Sequence, residues 1–340
     1  MSNELITGAL RSRPLSRRAA LLGLGAIGAG LGASGLAGCA PSTAGPAATA
    51  MRTVTHPLGS TEAPVEPQRI AVVDRRGTIC HLVSLGVLPA SAMTYRTIIG
   101  ADLPQVLDGQ VDEVTILPID GKPDVPSLEA VAAATPDLIL GWAKGITDLY
   151  PQLSAIAPTV PIEIDFVDMS VGFRAVADAV NQTAKVDPII AGFEAKLDEA
   201  AKAAGNVGTV SVLLGVGDHT FRAYQSGSVA ICDWVERFGG TLGPTPETVG
   251  GKASEFGILN LSPENLGAVD SQTIIVLYNT GETGEAALKE MESTPLWSRL
   301  PAVKAGRVIK VNSQAAVGQF GYLGFESVLA DIRAQWKPLS

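Results

Sequence analysis

The sequence predicts an α/β protein built as two Rossmann-like α/β lobes joined by one long rigid helix. Three observations lead there. Short apolar runs alternate with capped helical runs through both halves of the chain, the rhythm of parallel strands covered by helices. The stretch "PSLEAVAAATPDLIL" returns 135 residues later as "LSPENLGAVDSQTIIVLY", aligning Ser127 with Ser262, Glu129 with Glu264, Ala133 with Ala268 and Ile139 with Ile274. Between the halves, "VDPIIAGFEAKLDEAAKAAG" keeps unbroken helical periodicity. One large mixed sheet would alternate in the same way, but the internal repeat makes two lobes the economical reading.

Taken in order, "PQRIAVVD" holds a first strand at 70–73, and "GTICHLVSLG" a short helix stopped by Gly86. A second strand lies near 90–93. Ser127 caps the next helix, Glu129 sits in its first turn, and apolar periodicity runs to Ala134 before a strand at 137–140. Helices follow at 171–181 and 188–204, with Asp187 as cap and Pro188 at the first helical position. The second helix is a brace between lobes, with Glu194, Lys196, Asp198 and Glu199 on its solvated face. "TVSVLLGVGDHTF" opens the second lobe, the Ser262 segment supplies another capped helix and strand, and "GRVIKVN" closes it. The expected bounds are 61–183 for the first lobe, 184–205 for the helix and 206–340 for the second lobe.

Length and composition suit such a fold: 340 residues, 46% hydrophobic, 17% charged. The formal charge of -9 is uneven, because Arg11, Arg13, Arg17 and Arg18 against Glu4 make residues 1–38 positive. The strongly acidic remainder disfavours nucleic acid as a partner. After the basic start, Ala19 to Gly38 carries no charge and ends on small residues, as a secretory signal does. "SRRAALL" resembles a twin-arginine export signal through Arg17 and Arg18, with Ala20 where that pattern prefers Phe. "LAGC" resembles a bacterial lipobox, which implies cleavage at 1–38 and acylation of Cys39. The Ala/Pro/Ser-rich stretch to residue 60 then reads as a flexible tether. Cys80 and Cys232 fall on apolar helix faces and are expected to be free thiols.

Ligands of open α/β sheets sit beyond the carboxyl ends of the strands. The residues there are Arg75 and Arg76, then Tyr95 and Arg96, then Trp142 with Lys144 nearby. The second half offers His219, Phe221, Arg222 and Tyr224 in "GVGDHTFRAYQSG", Tyr278 and Asn279 in "VLYNTG", and Asn312, Phe320 and Tyr322 near the end. Guanidinium groups among aromatic walls suit a bulky, partly planar anion. No nucleophile elbow, zinc-protease or phosphate-loop motif occurs. The three histidines, His56, His81 and His219, are scattered, so no direct metal site is expected.

"PQRIAVVD…LVSLGVLPASAM", "PDVPSLEAVAAATPDLILG" and "PLWSRLPAVKAGRVIKVN" together resemble the iron-siderophore, haem and cobalamin substrate-binding proteins of ABC importers, the class III type. The resemblance runs from about Val65 to the C-terminus. It implies two lobes on one long helix, no enzymatic activity and no cofactor. The cargo it implies is a ferric siderophore whose iron is held by the chelator. It also implies a permease with its ATPase subunits as partners, docked through Glu129 and Glu264, and a monomer held on the extracytoplasmic face by its lipid anchor. Haem remains an alternative cargo through His219 or a tyrosine, as does cobalamin. A scavenger or sensor uncoupled from import is the alternative role.

Overall fold

The computed structural model describes residues 50–93, 105–107, 109–121, 125–165, 167–218, 220–317 and 320–339. The chain enters on an antiparallel hairpin in which β1 (Met51–His56) and β2 (Gly59–Pro64) pair from Met51↔Pro64 to His56↔Gly59. Alternation in "MRTVTH" turns Val54 and His56 inward. Thr61 Oγ1 donates to the Thr159 carbonyl at 2.8 Å, and Arg52 pairs with Asp178 at 3.1 Å. Residues 51–60 are thus folded structure, not tether. Their polarity hid the strands, because this pair gains stability by docking on the lobe rather than by its own core.

The first lobe follows as β3 (Ile70–Val72), α1 (Thr78–Ser84), β4 (Ser91–Met93), β5 (Thr115–Leu117), α2 (Leu128–Ala133), β6 (Leu138–Trp142), α3 (Tyr150–Ile156) and β7 (Thr159–Ile162). Its five strands are all parallel, in the order β5-β4-β3-β6-β7. Every residue of β3, β4 and β7 is buried, as expected of a sheet covered on both faces.

Two helices lead out of this lobe, α4 (Met169–Ala179) and α5 (Val186–Ala204). The long helix starts two residues earlier than Asp187-Pro188 suggested, because a 3-10 turn at Thr183–Lys185 runs straight into it. Pro188 is tolerated there because first-turn amides have no intrahelical acceptor. Asp187, instead of capping, pairs with Arg174 of α4 at 2.7 Å.

The second lobe contains β8 (Thr209–Gly217), β9 (Thr220–Tyr224), α6 (Ala230–Arg237), β10 (Thr241–Leu242), β11 (Ile258–Leu261), a 3-10 turn at Glu264–Ala268, β12 (Thr273–Tyr278), α7 (Glu282–Ser293), β13 (Val308–Asn312), α8 (Ser313–Ala316) and α9 (Gly321–Gln335). Its sheet runs β11-β9-β8-β12-β13, with β10 beside the start of β8. Strands β8, β12 and β13 are parallel, whereas β9 opposes β8 and β11 opposes β9.

The lobes share one core. Phe173 of α4, Phe193 of α5, Trp234 of α6, and Tyr322 and Phe325 of α9 form a chain of edge-to-face and tilted rings. Its closest members are Trp234–Phe325 at 5.1 Å and Phe173–Tyr322 at 5.2 Å. Each such pair adds about 0.5–1.5 kcal/mol beyond area burial. The "solvated face" of α5 also works as a fastening. Glu194 and Asp198 each take a nitrogen of Arg237 at 2.6 Å, and Lys196 reaches Glu326 of α9 at 2.6 Å. Cys80 and Cys232 are buried free thiols on α1 and α6.

Candidate functional site

At the carboxyl end of β3 the chain bends through Asp74, which is buried and accepts from the Arg76 amide at 2.8 Å and the Thr78 hydroxyl at 2.7 Å. Burial pushes the Asp74 carboxyl up, opposed by the Thr78 hydroxyl and by the backbone and charge of Arg76. The bend sets the Arg76 guanidinium over the Trp142 ring, 4.2 Å from its centroid, where Trp142 ends the neighbouring strand β6. Two residues 66 positions apart in sequence thus make one cation-on-aromatic platform. Arg75 is half-buried beside it, and Lys144 lies exposed just beyond. Sequence reasoning named the arginines and the tryptophan but not Asp74, whose signal was an acid immediately after a fully apolar strand.

The strand ends of the second lobe carry neutral polar side chains and one acid, Asp331. Tyr278 and Asn312 are register partners at the ends of β12 and β13. Together with Val106 of the first lobe, Ala315, Phe320, Ser327 and Asp331 they line a cavity of about 190 Å³. Asn279 accepts from the Ser313 hydroxyl and from Gln314 Nε2, the latter at 2.9 Å, while Asn312 caps α8 by accepting from the Ala315 amide at 3.2 Å. Gly284 is obligatory in this loop, since a Cβ there would lie 2.2 Å from the Asn279 carbonyl oxygen. Gln314 is buried, with Oε1 unpartnered among the described residues, as is Thr280 Oγ1. Both were missed; the rule of reading just past each strand finds them if carried two residues further.

Other sequence candidates are placed elsewhere. "GVGDHTF" is a hairpin rather than a loop over the cleft: Gly217 and Asp218 take positive φ, and β9 runs back along β8 so that Tyr224 pairs with Val212. Tyr224 is thereby carried about 16 Å back from the end of β8 at strand rise, whereas Arg222, opposite Leu214 and so level with Leu277, stands exposed one residue short of Tyr278. Tyr224 and Phe221 are core residues. The sequence signal for this reversal was the Gly-Asp dipeptide between two apolar runs. Tyr322 is likewise buried, inside the aromatic chain between the lobes, where burial raises its hydroxyl pKa to about 12, whereas Phe320, also buried, stays at the cavity wall. Tyr95, Arg96, His219, Arg17, Arg18 and Cys39 lie outside the described residues.

His81 is wedged between the lobes. Its ring lies 5.4 Å from that of Phe173, and Cβ atoms added at Gly172 of α4 and Gly321 of α9 would come within 3.3 and 2.9 Å of its nitrogens. Neither ring nitrogen has a partner among the described residues, and burial lowers its pKa to about 3, so it is neutral.

Glu129 and Glu264 both stand exposed after the carboxyl end of a strand. The Ser127 amide donates to the Pro118 carbonyl beyond β5, and Ser127 Oγ caps α2 by accepting from the Ala130 amide at 3.3 Å. The matching segment in the second lobe is not an α-helix: Glu264 opens a five-residue 3-10 turn after β11. Asn265 and Gly267 are poor helix formers compared with the Leu-Glu-Ala-Val-Ala-Ala of α2. The Ser262 hydroxyl, followed by the residue's own backbone amide, holds the Glu264 carboxyl below its ordinary range. Since β11 points the same way as β8, each glutamate lies on the strand-end side of its lobe.

Among the described residues no group of three His, Cys, Asp or Glu could hold a metal ion, and no helix is long and apolar enough to cross a membrane. Residues 109–315 match the family described as "Periplasmic binding protein". The chain is similar to the "Probable siderophore-binding lipoprotein YfiY" of Bacillus subtilis, 27% identical over 83% of this chain and 86% of that one. It is also similar to the "Fe(3+)-citrate-binding protein YfmC" of the same organism, 23% identical over 76% and 77%. In three dimensions it resembles Staphylococcus aureus SirA complexed with staphyloferrin B. That TM-score is 0.62 at 20% identity, covering 83% of this chain and 96% of SirA.

Proposed function

The chain belongs to the periplasmic binding protein family, and from that premise we propose that it captures a ferric siderophore and hands it to an ABC permease for iron uptake. Arg76 stacked on Trp142 carries the reading. The guanidinium presents a fixed positive fork to chelate oxygens, while the indole covers apolar parts of the same ligand. At the strand ends of the second lobe, Tyr278, Asn279, Thr280 and Gln314 supply neutral donors and acceptors, which suits a ligand whose negative charge is concentrated on one side. Iron arrives already coordinated, so the protein needs no metal ligands of its own. The siderophore and ferric-citrate names of the relatives support the same cargo class.

In this reading Cys39 carries the lipid anchor on the extracytoplasmic face, Arg17 and Arg18 mark the export signal, and the soluble lobes act as a monomer. Glu129 and Glu264 dock on basic residues of the permease, whose ATPase subunits supply the energy. Their position on the strand-end side supports this, because a permease engaging both would cover the cleft mouth. Binding is the entire activity.

The test is tryptophan fluorescence titration of the full-length protein with a ferric hydroxamate, a ferric catecholate, ferric citrate, haem and cobalamin, with iron-free chelators as controls. Saturable quenching by one ferric chelate at submicromolar concentration is expected. Glu129→Arg with Glu264→Arg should then abolish uptake of that chelate in cells without weakening binding. Silence across the panel overturns the cargo, and unchanged uptake by the double variant overturns docking.

A further inference from the structure

The cavity at the ends of β12 and β13 contains an acid that the anionic-chelate reading does not use. Asp331 lies on α9 one turn before Gln335, whose side chain bonds both the amide and the carbonyl of Lys310 at 3.0 Å. Those bonds pin α9 antiparallel to β13. One helical turn back from Gln335, Asp331 therefore comes level with Asn312, two residues further along β13. Its carboxylate is half-buried, and among the described residues no Lys, Arg or other donor pairs with it. Burial raises its pKa with no basic group opposing the shift. A half-buried carboxylate lining a cavity, with no counter-ion among the described residues, favours a cationic partner there.

The rest of the wall narrows what that cation is. Ser327, one turn before Asp331, and Tyr278 add hydroxyl oxygens, whereas Val106 and Ala315 are apolar. Acid and hydroxyls beside an aliphatic wall match an alkylammonium: three N–H donors, no acceptor, and a methylene stem. The volume of about 190 Å³ equals about six waters, the size of an aminopentyl arm.

Resting on the ferric-chelate reading above, we propose that the cavity around Asp331 is a specificity subsite for a primary ammonium arm carried by the chelate. The anionic iron centre would meet the arginines of the first lobe while its cationic arm enters the second. The ligand class is then a zwitterionic chelate rather than a purely anionic one.

Two measurements on the full-length protein in detergent test this. The first uses 1,5-diaminopentane, with 1,5-pentanediol as neutral control, following backbone amide NMR shifts of Ala315, Ser327 and Asp331. Saturable millimolar shifts are expected with the diamine alone, and they should vanish in Asp331→Asn while its melting temperature stays unchanged. No shift, or equal shifts with the diol, overturns the subsite whatever the iron ligand is. The second compares a ferric trishydroxamate bearing a free amine with its N-acetylated form, and likewise for whichever chelate class binds. The wild type should prefer the free amine about tenfold or more, and Asp331→Asn should make the two equal. Equal affinities in the wild type overturn the chelate-arm assignment. Diamine binding without binding of any chelate would leave the subsite standing and defeat the iron reading instead.

Discussion

The two lobes begin from the same sequence pattern and end with different strand-end surfaces. In the first lobe five parallel strands all point their carboxyl ends one way, so the ends of the adjacent strands β3 and β6 bring Asp74, Arg75, Arg76 and Trp142 to one charged platform. In the second lobe the hairpin at Gly217 and Asp218 turns β9 around and draws Tyr224 back from that end into the core. What remains there is a neutral amide and hydroxyl cluster with a single half-buried acid. A duplicated pattern therefore does not imply a duplicated site. Strand direction decides which side chains reach the ligand, and one two-residue turn is enough to change the chemistry of a lobe.

The largest effect is expected where the lobes meet. His81 is held neutral with a pKa near 3, against about 6.5 when unfolded. Below about pH 6.5 the unfolded chain binds a proton that the folded one refuses, so stability falls as pH falls, until about pH 3. The slope approaches about 1.4 kcal/mol per pH unit, or up to about 5 kcal/mol in all. Urea unfolding between pH 7.5 and 4.5 should show this slope in the wild type and a shallower one in His81→Leu. Identical slopes would mean that the junction is open enough to hydrate the imidazole, and that the lobes are less firmly joined than the shared core implies.

Next in size is the contrast between charged and neutral ends. Arg76→Ala should weaken a ferric chelate by about 10- to 100-fold, the range for a lost hydrogen bond to a charged group. Gln314→Ala, which removes a neutral partner, should weaken it by less than about tenfold. Isothermal titration of both variants decides the order, and a larger loss at Gln314 would reverse the assignment of anion recognition to the first lobe.

The smallest effect is the sharpest test of strand direction. Tyr224→Phe should leave chelate affinity within about twofold of wild type, since β9 draws it back from the strand ends into the core. A tenfold loss in the same titration would require β9 to present Tyr224 to the ligand after all.

The helices and central strands were legible because their signals are local. Ser127 caps what it was expected to cap, and β12 and β13 are apolar runs that read as strands in any context. The hairpin at 51–64 was not, because half its residues are polar and its stability comes from Thr159 and Asp178, about a hundred residues away. The repeat misled in one respect. Ser262 and Glu264 match Ser127 and Glu129, yet Asn265 and Gly267 leave only a 3-10 turn.

Composition, the apolar and basic N-terminal pattern, the α/β rhythm and the long helix followed from sequence alone, because each depends on neighbours a few residues apart. Tertiary structure alone decided that Arg76 lies on Trp142, that Tyr322 and His81 serve the joint between lobes, and that Asp331 faces the strand ends. Those facts depend on strand order and helix direction, which bring together side chains tens to hundreds of residues apart and leave no periodic trace in the chain.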